Sequence, residues 1–265
     1  MTNEQTDSIL CRIESDVAHV ILNRPDKSNA LDIPMILQLN EVLANLRNMH
    51  TLRVLWLKGA GKNFCAGADL QWMQESIHFD KKQNYDESLQ LAQLMYNLYT
   101  LPFPSLVTVQ GACFGGGVGL VASCKIALAT PSTKFCFSEA KLGLIPAVIS
   151  PYILQALGVR ATEALFLTSE MFNGTRAHEL GLIQKIVEDA NLESEGKLLS
   201  QILTKQSPLA LKAIRDLVDR VHDKKIAQDL IEETSRNIAE IRVSSEAQEG
   251  VKAFLDKRIP KWVQP

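Results

Sequence analysis

The segment from Ser105 to Cys124 constrains the fold more than any other part of this 265-residue chain. It carries no charged side chain, and its length is about that of a membrane-spanning helix. However, it contains five glycines and Gln110, and Pro102 and Pro104 precede it. We therefore predict a buried strand, a glycine turn and a buried helix here, and no membrane span.

Strand and helix patterns alternate around this segment. Two strand-like runs, Ile9–Glu14 and Val17–Leu22, surround Ser15-Asp16 and predict a hairpin. Met35–Met49 has the apolar spacing of a helix, and Pro34 suits its first turn. This alternation predicts an α/β core with parallel strand pairing. The remaining predicted elements of this half are the strands Arg53–Leu57, Leu106–Val109, Ile126–Ala129 and Phe135–Phe137, the helix Gly115–Ser123 and a helix-permissive stretch from Leu70 to Tyr99.

From Pro151 onward the pattern is mostly helical. Only Gln184–Val187 has the pattern of an extended segment, and glycines and Pro208 separate the helices. The apolar stripes of these helices must cover either the sheet or another subunit. The predicted helices are Tyr152–Leu157, Ala161–Leu167, Arg176–Leu180, Leu192–Thr204, Leu209–Val221 and Ile226–Arg242.

Charge and cysteine content exclude several classes of function. The chain has 28 Lys and Arg against 30 Asp and Glu, a net charge of −2, so broad binding to nucleic acid or to an anionic membrane is not expected. The five cysteines are odd in number, form no CxxC pair and have no His cluster, so we expect neither disulfides nor a metal site. The first ten residues lack the basic and apolar regions of a secretory signal, and we expect a cytoplasmic protein.

Three segments could carry chemistry. In Phe64–Leu70, small residues between a strand and a helix would let a ligand approach the backbone, although a plain connecting loop has the same pattern. Gly111–Gly119 contains three consecutive glycines that need a geometric reason. In Phe137–Pro146, Glu139 lies among apolar residues that would raise its pKa for proton transfer, but a surface glutamate at a strand end is the more common case.

The glycines do not form a known phosphate-binding loop. Gly115 and Gly117 would start a GxGxxG motif, but Leu120 stands where its last glycine belongs. A GxxxxGK[ST] motif is also missing, since Gly61-Lys62 is followed by Asn63. A helix N-terminus that offers a bare N–H to a developing oxyanion fits the glycines better.

Taken together and in order, these segments resemble the enoyl-CoA hydratase/isomerase (crotonase) superfamily. The resemblance spans nearly the whole chain and includes Leu22–Pro25, Asn29–Leu31, the three segments above, Phe166–Thr168, Ala177–Leu182 and Glu249–Arg258. It implies an α/β fold with a ClpP-like β-β-α spiral core over residues 1–200, which holds the site for a CoA ester. It also implies a C-terminal helical segment, residues 201–265, used for trimerisation, and a homotrimer or dimer of trimers.

The resemblance also implies roles for individual residues. The backbone N–H groups of Ala68 and Gly116 would hold the thioester carbonyl of an acyl-CoA, and Glu139 would move the proton. No cofactor is implied, because coenzyme A is part of the substrate. Residues implied to line the CoA and acyl path are Ala66, Asp69, Leu70, Gln71, Gly115 and Gly119, while Arg24, Lys27, Ala30 and Lys257 fall where the family approaches the CoA nucleotide.

One position departs from the pattern of typical hydratases, which use two glutamates twenty positions apart. Glu139 matches the second, but the first falls at Gly119. Gly119 and the segment Ser138–Pro151 are similar to the bacterial branch assigned to methylglutaconyl-CoA and carboxygeranoyl-CoA hydration, in leucine and isoprenoid breakdown. We therefore expect a 2-enoyl-CoA hydratase. A single-glutamate Δ3-Δ2 isomerase and a non-catalytic acyl-CoA-binding protein remain alternatives. A carboxylated acyl group would need a cation, for which Lys81, Lys82 and Lys141 are candidates.

Overall fold

A computed structural model describes residues 7–263 of the chain. The chain divides into two compact units, Met1–Ser200 and Gln201–Pro265. The strands lie in the first unit and are β1 (Ile9–Glu14), β2 (Val17–Leu22), β3 (Val54–Gly59), β4 (Ser105–Val109), β5 (Ala112–Phe114), β6 (Ile126–Ala129), β7 (Lys134–Cys136), β8 (Phe172–Asn173) and β9 (Lys185–Ile186).

Helices fall in both units, and α7 contains the boundary between them. They are α1 (Ile33–Arg47), α2 (Leu70–Ser76), α3 (Lys81–Tyr99), α4 (Gly116–Ser123), α5 (Ser150–Thr168), α6 (Gly174–Glu179), α7 (Leu192–Thr204), α8 (Pro208–Val221), α9 (Gln228–Arg242) and α10 (Ser245–Leu255). A short 3-10 helix, Glu139–Leu142, lies between β7 and α5.

The main sheet of the first unit has six strands within residues 7–263, in the order β1-β2-β3-β4-β6-β9. β1 and β2 form the predicted antiparallel hairpin, and all later neighbours pair in parallel. The hairpin turn has positive φ at both Ser15 (49°) and Asp16 (64°), the geometry of a two-residue type I′ turn. The predicted α/β class with parallel pairing is confirmed.

Strands β5, β7 and β8 form a second sheet, and successive strands of the chain alternate between it and the main sheet from β4 to β7. β4, β5 and α4 form one β-β-α unit, and β6, β7 and α5 form the next, so that each unit adds one strand to each sheet. The uncharged segment 105–124 forms β4, β5 and α4, as its glycines predict. Within the described residues, no helix combines the length and the apolar character needed to cross a bilayer.

The helices differ from the prediction in three places, and two of these differences arise at helix caps. The stretch predicted as helix-permissive from Leu70 to Tyr99 is broken before Asp80, which forms a reciprocal capping box with Gln83 and so starts α3. α10 was not predicted, although Ser244 caps its first turn through Ala247 N–H. α5 joins two predicted helices, and Gly158 between them is non-helical (φ 74°, ψ 166°).

The second unit contains α8, α9 and α10. Ser207 caps α8 and Ser244 caps α10 by accepting bonds from backbone N–H groups. Trp262 donates from Nε1 to Lys205 O at 3.1 Å. Along these helices the structure leaves many large apolar side chains exposed, among them Ile214, Val218, Ile231, Ile238, Val251 and Phe254.

The indole of Trp56 fixes the position of α7 in the first unit. Trp56 is 1% exposed, and its Nε1 donates to Thr108 Oγ1 at 3.0 Å. A Cβ added to Gly196, in the middle of α7, would lie 2.8 Å from Trp56 Cε2 and 2.9 Å from Cη2. Gly196 is therefore required for close approach of the helix to the indole.

We predict that Gly196→Ala destabilises the protein by about 1–3 kcal/mol, because the methyl group overpacks against Trp56. Urea unfolding measures the effect. Lys197→Ala, at the exposed next position of α7, is the control and should change the free energy of unfolding by less than about 0.5 kcal/mol. A gain near the ~1 kcal/mol by which alanine exceeds glycine in helix propensity would contradict the packing.

Candidate active site

Backbone pairing brings two of the three segments side by side. Cys65 and Cys113 form an isolated parallel bridge. Cys65 N–H donates to Ala112 O at 3.1 Å, and Phe114 N–H donates to Cys65 O at 2.9 Å. Both cysteines are fully buried, so the pairing lies inside the core. The small residues after Cys65 are thereby held against the glycines that begin α4.

A second bridge, between Leu31 and Ala68, orients the backbone of Ala68. Leu31 N–H donates to Gly67 O at 2.7 Å, and Leu31 O accepts from Asp69 N–H at 2.8 Å. In a parallel bridge of this kind the middle residue directs its own N–H away from the partner strand. Within residues 7–263 the Ala68 N–H donates no hydrogen bond, and the residue is exposed.

Gly116 supplies a second free backbone donor. It is the first residue of α4, where a helix leaves its N–H groups without intrahelical acceptors and carries the positive end of its dipole. Gly115 before it has φ 47° and ψ −117°, a conformation that needs glycine. A Cβ on Gly116 would lie 3.0 Å from Leu31 Cδ1, so Leu31 lies beside both Gly116 and Ala68. The described chain contains no acceptor for the Gly116 N–H.

Glu139, in the third segment, lies beside the start of α4. Gly115 N–H donates to Cys136 O at 3.0 Å, which holds the end of β7 against the start of α4. A Cβ on Gly115 would lie 3.1 Å from Glu139 Oε1, so the carboxylate lies over this glycine. Glu139 Oε2 is buried and has no partner in the part of the chain that the structure describes.

The environment of Glu139 changes its acidity. Burial raises the pKa of the Glu139 carboxyl above its ordinary value, and its own backbone N–H only partly offsets this. The surface-glutamate interpretation of Glu139 is therefore wrong. A buried carboxyl with a raised pKa is the kind of group that general acid–base chemistry uses.

The position of the missing first glutamate is closed by an apolar side chain. A Cβ on Gly119 would lie 3.0 Å from Ile149 Cβ, closer still to its Cγ2, and 3.2 Å from Met95 Cε. Gly119 is buried and Ile149 is 2% exposed. Position 119 thus has no room for a side chain, and its backbone contacts Ile149. Sequence patterns gave no signal for this role of Ile149.

Arg24, predicted to approach the CoA nucleotide, and Asp69, predicted to line the CoA and acyl path, bind each other. Arg24 Nη2 donates to Asp69 Oδ2 at 2.8 Å, and Lys27 Nζ lies 3.6 Å from the same oxygen. Burial opposes ionisation of Asp69, but the bond from Gln71 N–H, Arg24 and Lys27 outweigh it and lower the pKa of Asp69. Asp69 is therefore a carboxylate held by the chain itself.

The other predicted binding residues surround this network, with one exception. Ala30 O accepts from Arg24 Nη1 at 2.9 Å, and Ala66 N–H donates to Ser28 O at 3.0 Å. Leu70 and Gln71 are exposed at the start of α2, Leu70 to 77%. Lys257 lies in the second unit, after α10, and its CoA contact stays a prediction.

The described residues contain no group of three His, Cys, Asp or Glu side chains that could hold a metal ion.

Comparison with known proteins gives a consistent result. The family model described as Enoyl-CoA hydratase/isomerase matches residues 12–265. A solved chain from Legionella pneumophila subsp. pneumophila str. Philadelphia 1, assigned to enoyl CoA hydratase/isomerase (crotonase), is 46% identical, with a TM-score of 0.94 over 97% of this chain and 100% of that one. An enoyl-CoA hydratase from Shewanella pealeana ATCC 700345 is 41% identical, with a TM-score of 0.92 over 98% and 97%.

A further relative carries a different name. The 1,2-epoxyphenylacetyl-CoA isomerase of Escherichia coli (strain K12) is 31% identical over 96% of this chain and 97% of its own length. The family match and these relatives cover the two paired loops, the start of α4 and Glu139 together. The chain belongs to the enoyl-CoA hydratase/isomerase (crotonase) superfamily.

Proposed function

We propose that this protein adds water to the double bond of a 2-enoyl-CoA, with Glu139 as its one acid and base. The observation that carries the proposal is the Glu139 carboxylate, whose Oε2 is buried and unpartnered among the described residues while Oε1 lies over Gly115. Gly116, which follows Gly115, is the first residue of α4 and has a free N–H. A proton acceptor and an oxyanion donor thus lie in adjacent positions.

The reaction balances with one carboxylate. Ionised Glu139 takes a proton from water as the water oxygen bonds to C3, and the C2=C3 electron pair moves onto the thioester carbonyl. The Ala68 and Gly116 N–H groups hold the resulting enolate oxygen. When the enolate collapses, the Glu139 carboxylic acid returns its proton to C2. Water has then been added across the double bond, and Glu139 is ionised again.

The contacts of Gly119 support a single acid. Because Ile149 and Met95 fill the space beside Gly119, a second carboxylate cannot be placed there without repacking. The relatives with the names hydratase and hydratase/isomerase at 41% and 46% identity favour hydration. Δ3-Δ2 isomerisation is the second candidate, because one buried carboxylate also suffices to move a proton between C2 and C4.

For the acyl group we propose a branched, carboxylated chain such as 3-methylglutaconyl-CoA. The segment Ser138–Pro151 that favours this branch holds both Glu139 and Ile149. Lys141 lies in the same 3-10 helix as Glu139, whereas Lys82 is paired with Asp86 at 2.8 Å. Lys81, like Lys82, lies at the start of α3 and outside that segment, so we propose Lys141 as the cation that would receive the acyl carboxylate.

We further propose a homotrimer or dimer of trimers that needs no cofactor. The exposed apolar side chains of α8, α9 and α10 support assembly, because a large uncovered apolar surface is costly in water. The cytoplasmic location expected from the sequence stays a prediction.

We predict that Glu139→Gln lowers hydration of 3-methylglutaconyl-CoA by about 10²–10⁴-fold, the usual contribution of a general acid and base. Loss of the conjugated enoyl-thioester absorbance measures the rate. Glu163→Gln, at an exposed position of α5, is the control and should leave the rate unchanged. Conjugation gained from a 3-enoyl-CoA, with no hydration, would instead establish the isomerase. No turnover of either ester by the parent protein would indicate a binding role.

The pH dependence of kcat/KM reports the ionisation of Glu139. Because protonated Glu139 cannot accept a proton from water, kcat/KM should fall as the pH drops through its pKa. Burial raises this pKa, so the acid limb should have its midpoint above 4.5, the ordinary value for a glutamate. Initial rates at saturating and limiting substrate give the profile. A midpoint at or below 4.5 would be inconsistent with Glu139 as the base.

Ile149 should be coupled to Gly119 in stability. We predict that Gly119→Ala costs about 1–3 kcal/mol by overpacking, and that the cost is smaller when Ile149→Ala has removed the clashing atoms. Urea unfolding of the four proteins gives an interaction energy of about 0.5–3 kcal/mol. Ile153→Ala, another buried truncation in α5, is the control background and should be additive with Gly119→Ala. Equal coupling in both backgrounds would refute the contact.

A further inference from the structure

Arg24 joins two carboxylates that the sequence places 37 positions apart. Its Nη1 lies 2.7 Å from Asp32 Oδ2, and its Nη2 donates to Asp69 Oδ2 at 2.8 Å. Nη1 also donates to Ala30 O at 2.9 Å. The guanidinium thus uses both terminal nitrogens on groups of the chain itself, and its side chain is only 14% exposed.

Both carboxylates are helix caps. Asp32 Oδ1 accepts from Met35 N–H at 3.0 Å and begins α1. Asp69 Oδ1 accepts from Gln71 N–H at 2.9 Å and begins α2. In each case one carboxylate oxygen holds the helix and the other holds Arg24. One guanidinium therefore connects the starts of two helices.

These two caps enclose the bridge that orients Ala68. Asp32 follows Leu31 in the chain, and Asp69 follows Ala68. Among the residues that the structure describes, two backbone hydrogen bonds hold this bridge, and Leu31 makes both. Arg24 adds a charge-assisted link across the same two chain segments, one residue beyond the bridge. Moving either cap would turn the Ala68 peptide, because its N–H is adjacent to the linked residues.

We propose that Arg24 is a positioning residue that fixes the direction of the Ala68 N–H toward the substrate carbonyl. The proposal rests on the oxyanion role of Ala68 given above. It differs from the CoA contact that the resemblance implies for Arg24, because two carboxylates already compensate the charge of this guanidinium. Lys27, 46% exposed, keeps an accessible ammonium for a phosphate of CoA.

The test compares two substitutions of Arg24 by a readout at the carbonyl itself. Butyryl-CoA labelled with 13C at the thioester carbonyl is saturated, so it binds without reacting. Hydrogen bonds from the protein lower its C=O stretching frequency, which difference infrared spectroscopy measures. In Arg24→Met we expect this frequency to return toward that of free butyryl-CoA. Arg24→Lys can bind one of the two carboxylates, so its carbonyl frequency should lie between those of Arg24→Met and the parent protein. This graded response distinguishes lost positioning from misfolding.

Steady-state kinetics supply a second readout. On a 2-enoyl-CoA, Arg24→Met should lower kcat by up to about 10²-fold, the effect of a displacement near 1 Å, while KM stays close to the parent value. The control is Arg47→Met, at the other end of α1. Arg47 is also a half-buried arginine that joins two helices, because it donates to Asn97 O in α3 and to Thr100 O at the C-cap of α3. Arg47→Met should leave both kcat and the carbonyl frequency unchanged.

Four results would overturn the proposal. A raised KM with unchanged kcat and carbonyl frequency in Arg24→Met would make Arg24 a CoA ligand. Equal loss of the carbonyl shift in Arg24→Met and Arg47→Met would indicate general loosening of the fold. A parent protein that does not shift the carbonyl would remove the oxyanion role of Ala68 and with it the role of Arg24. If the parent protein lowers the carbonyl frequency and Arg24→Met lowers it equally, only the role of Arg24 is refuted, and the oxyanion role of Ala68 stands.

Discussion

Pairing between the Cys65 and Cys113 segments is the constraint on which the candidate site depends. Gly117, the second residue of α4, would place a Cβ 2.7 Å from Cys65 O and 2.9 Å from Cys65 Cβ. The helix that carries the Gly116 donor can therefore approach the Ala68 loop only because it begins with glycines. Their entropic cost is offset by backbone bonds and by burial of both cysteines. Without this approach, the two donors would belong to separate loops.

Burial of Glu139 opposes stability in the same place. A carboxyl oxygen that is buried and unpartnered among residues 7–263 loses its hydration without replacement, which raises its pKa and costs folding free energy at neutral pH. The unfolded chain ionises this group more readily, so the cost grows as the pH rises from 4.5 through the raised pKa of the folded state. Burial of apolar side chains around the site, such as Leu31 and Ile149, must offset this cost in folding free energy.

Local chemistry decided which parts of the structure could be predicted from sequence. The hairpin at Ser15-Asp16, the parallel core and the division of segment 105–124 follow from alternation, glycine content and turn residues, which act within a few positions. The split before Asp80 was missed because a capping box outweighed a continuous helical pattern. The link from Arg24 to Asp32 and Asp69 and the contact of Ile149 with Gly119 join distant positions, and no periodicity encodes them.

The contact between Ile149 and Gly119 also explains why one acid would serve for both proton transfers of the proposed hydration. A second carboxylate at position 119 would have to displace Ile149, which precedes α5 and accepts its first backbone bond, from Ile153 N–H at 3.1 Å. Such a change would alter the packing of α4 against the start of α5 rather than only one side chain. In the proposed hydration, the proton taken from water would therefore be returned by the same carboxyl. The raised pKa of Glu139 suits this, because raising the pKa of a carboxyl above its ordinary value makes its acid form a weaker acid and its ionised form a stronger base.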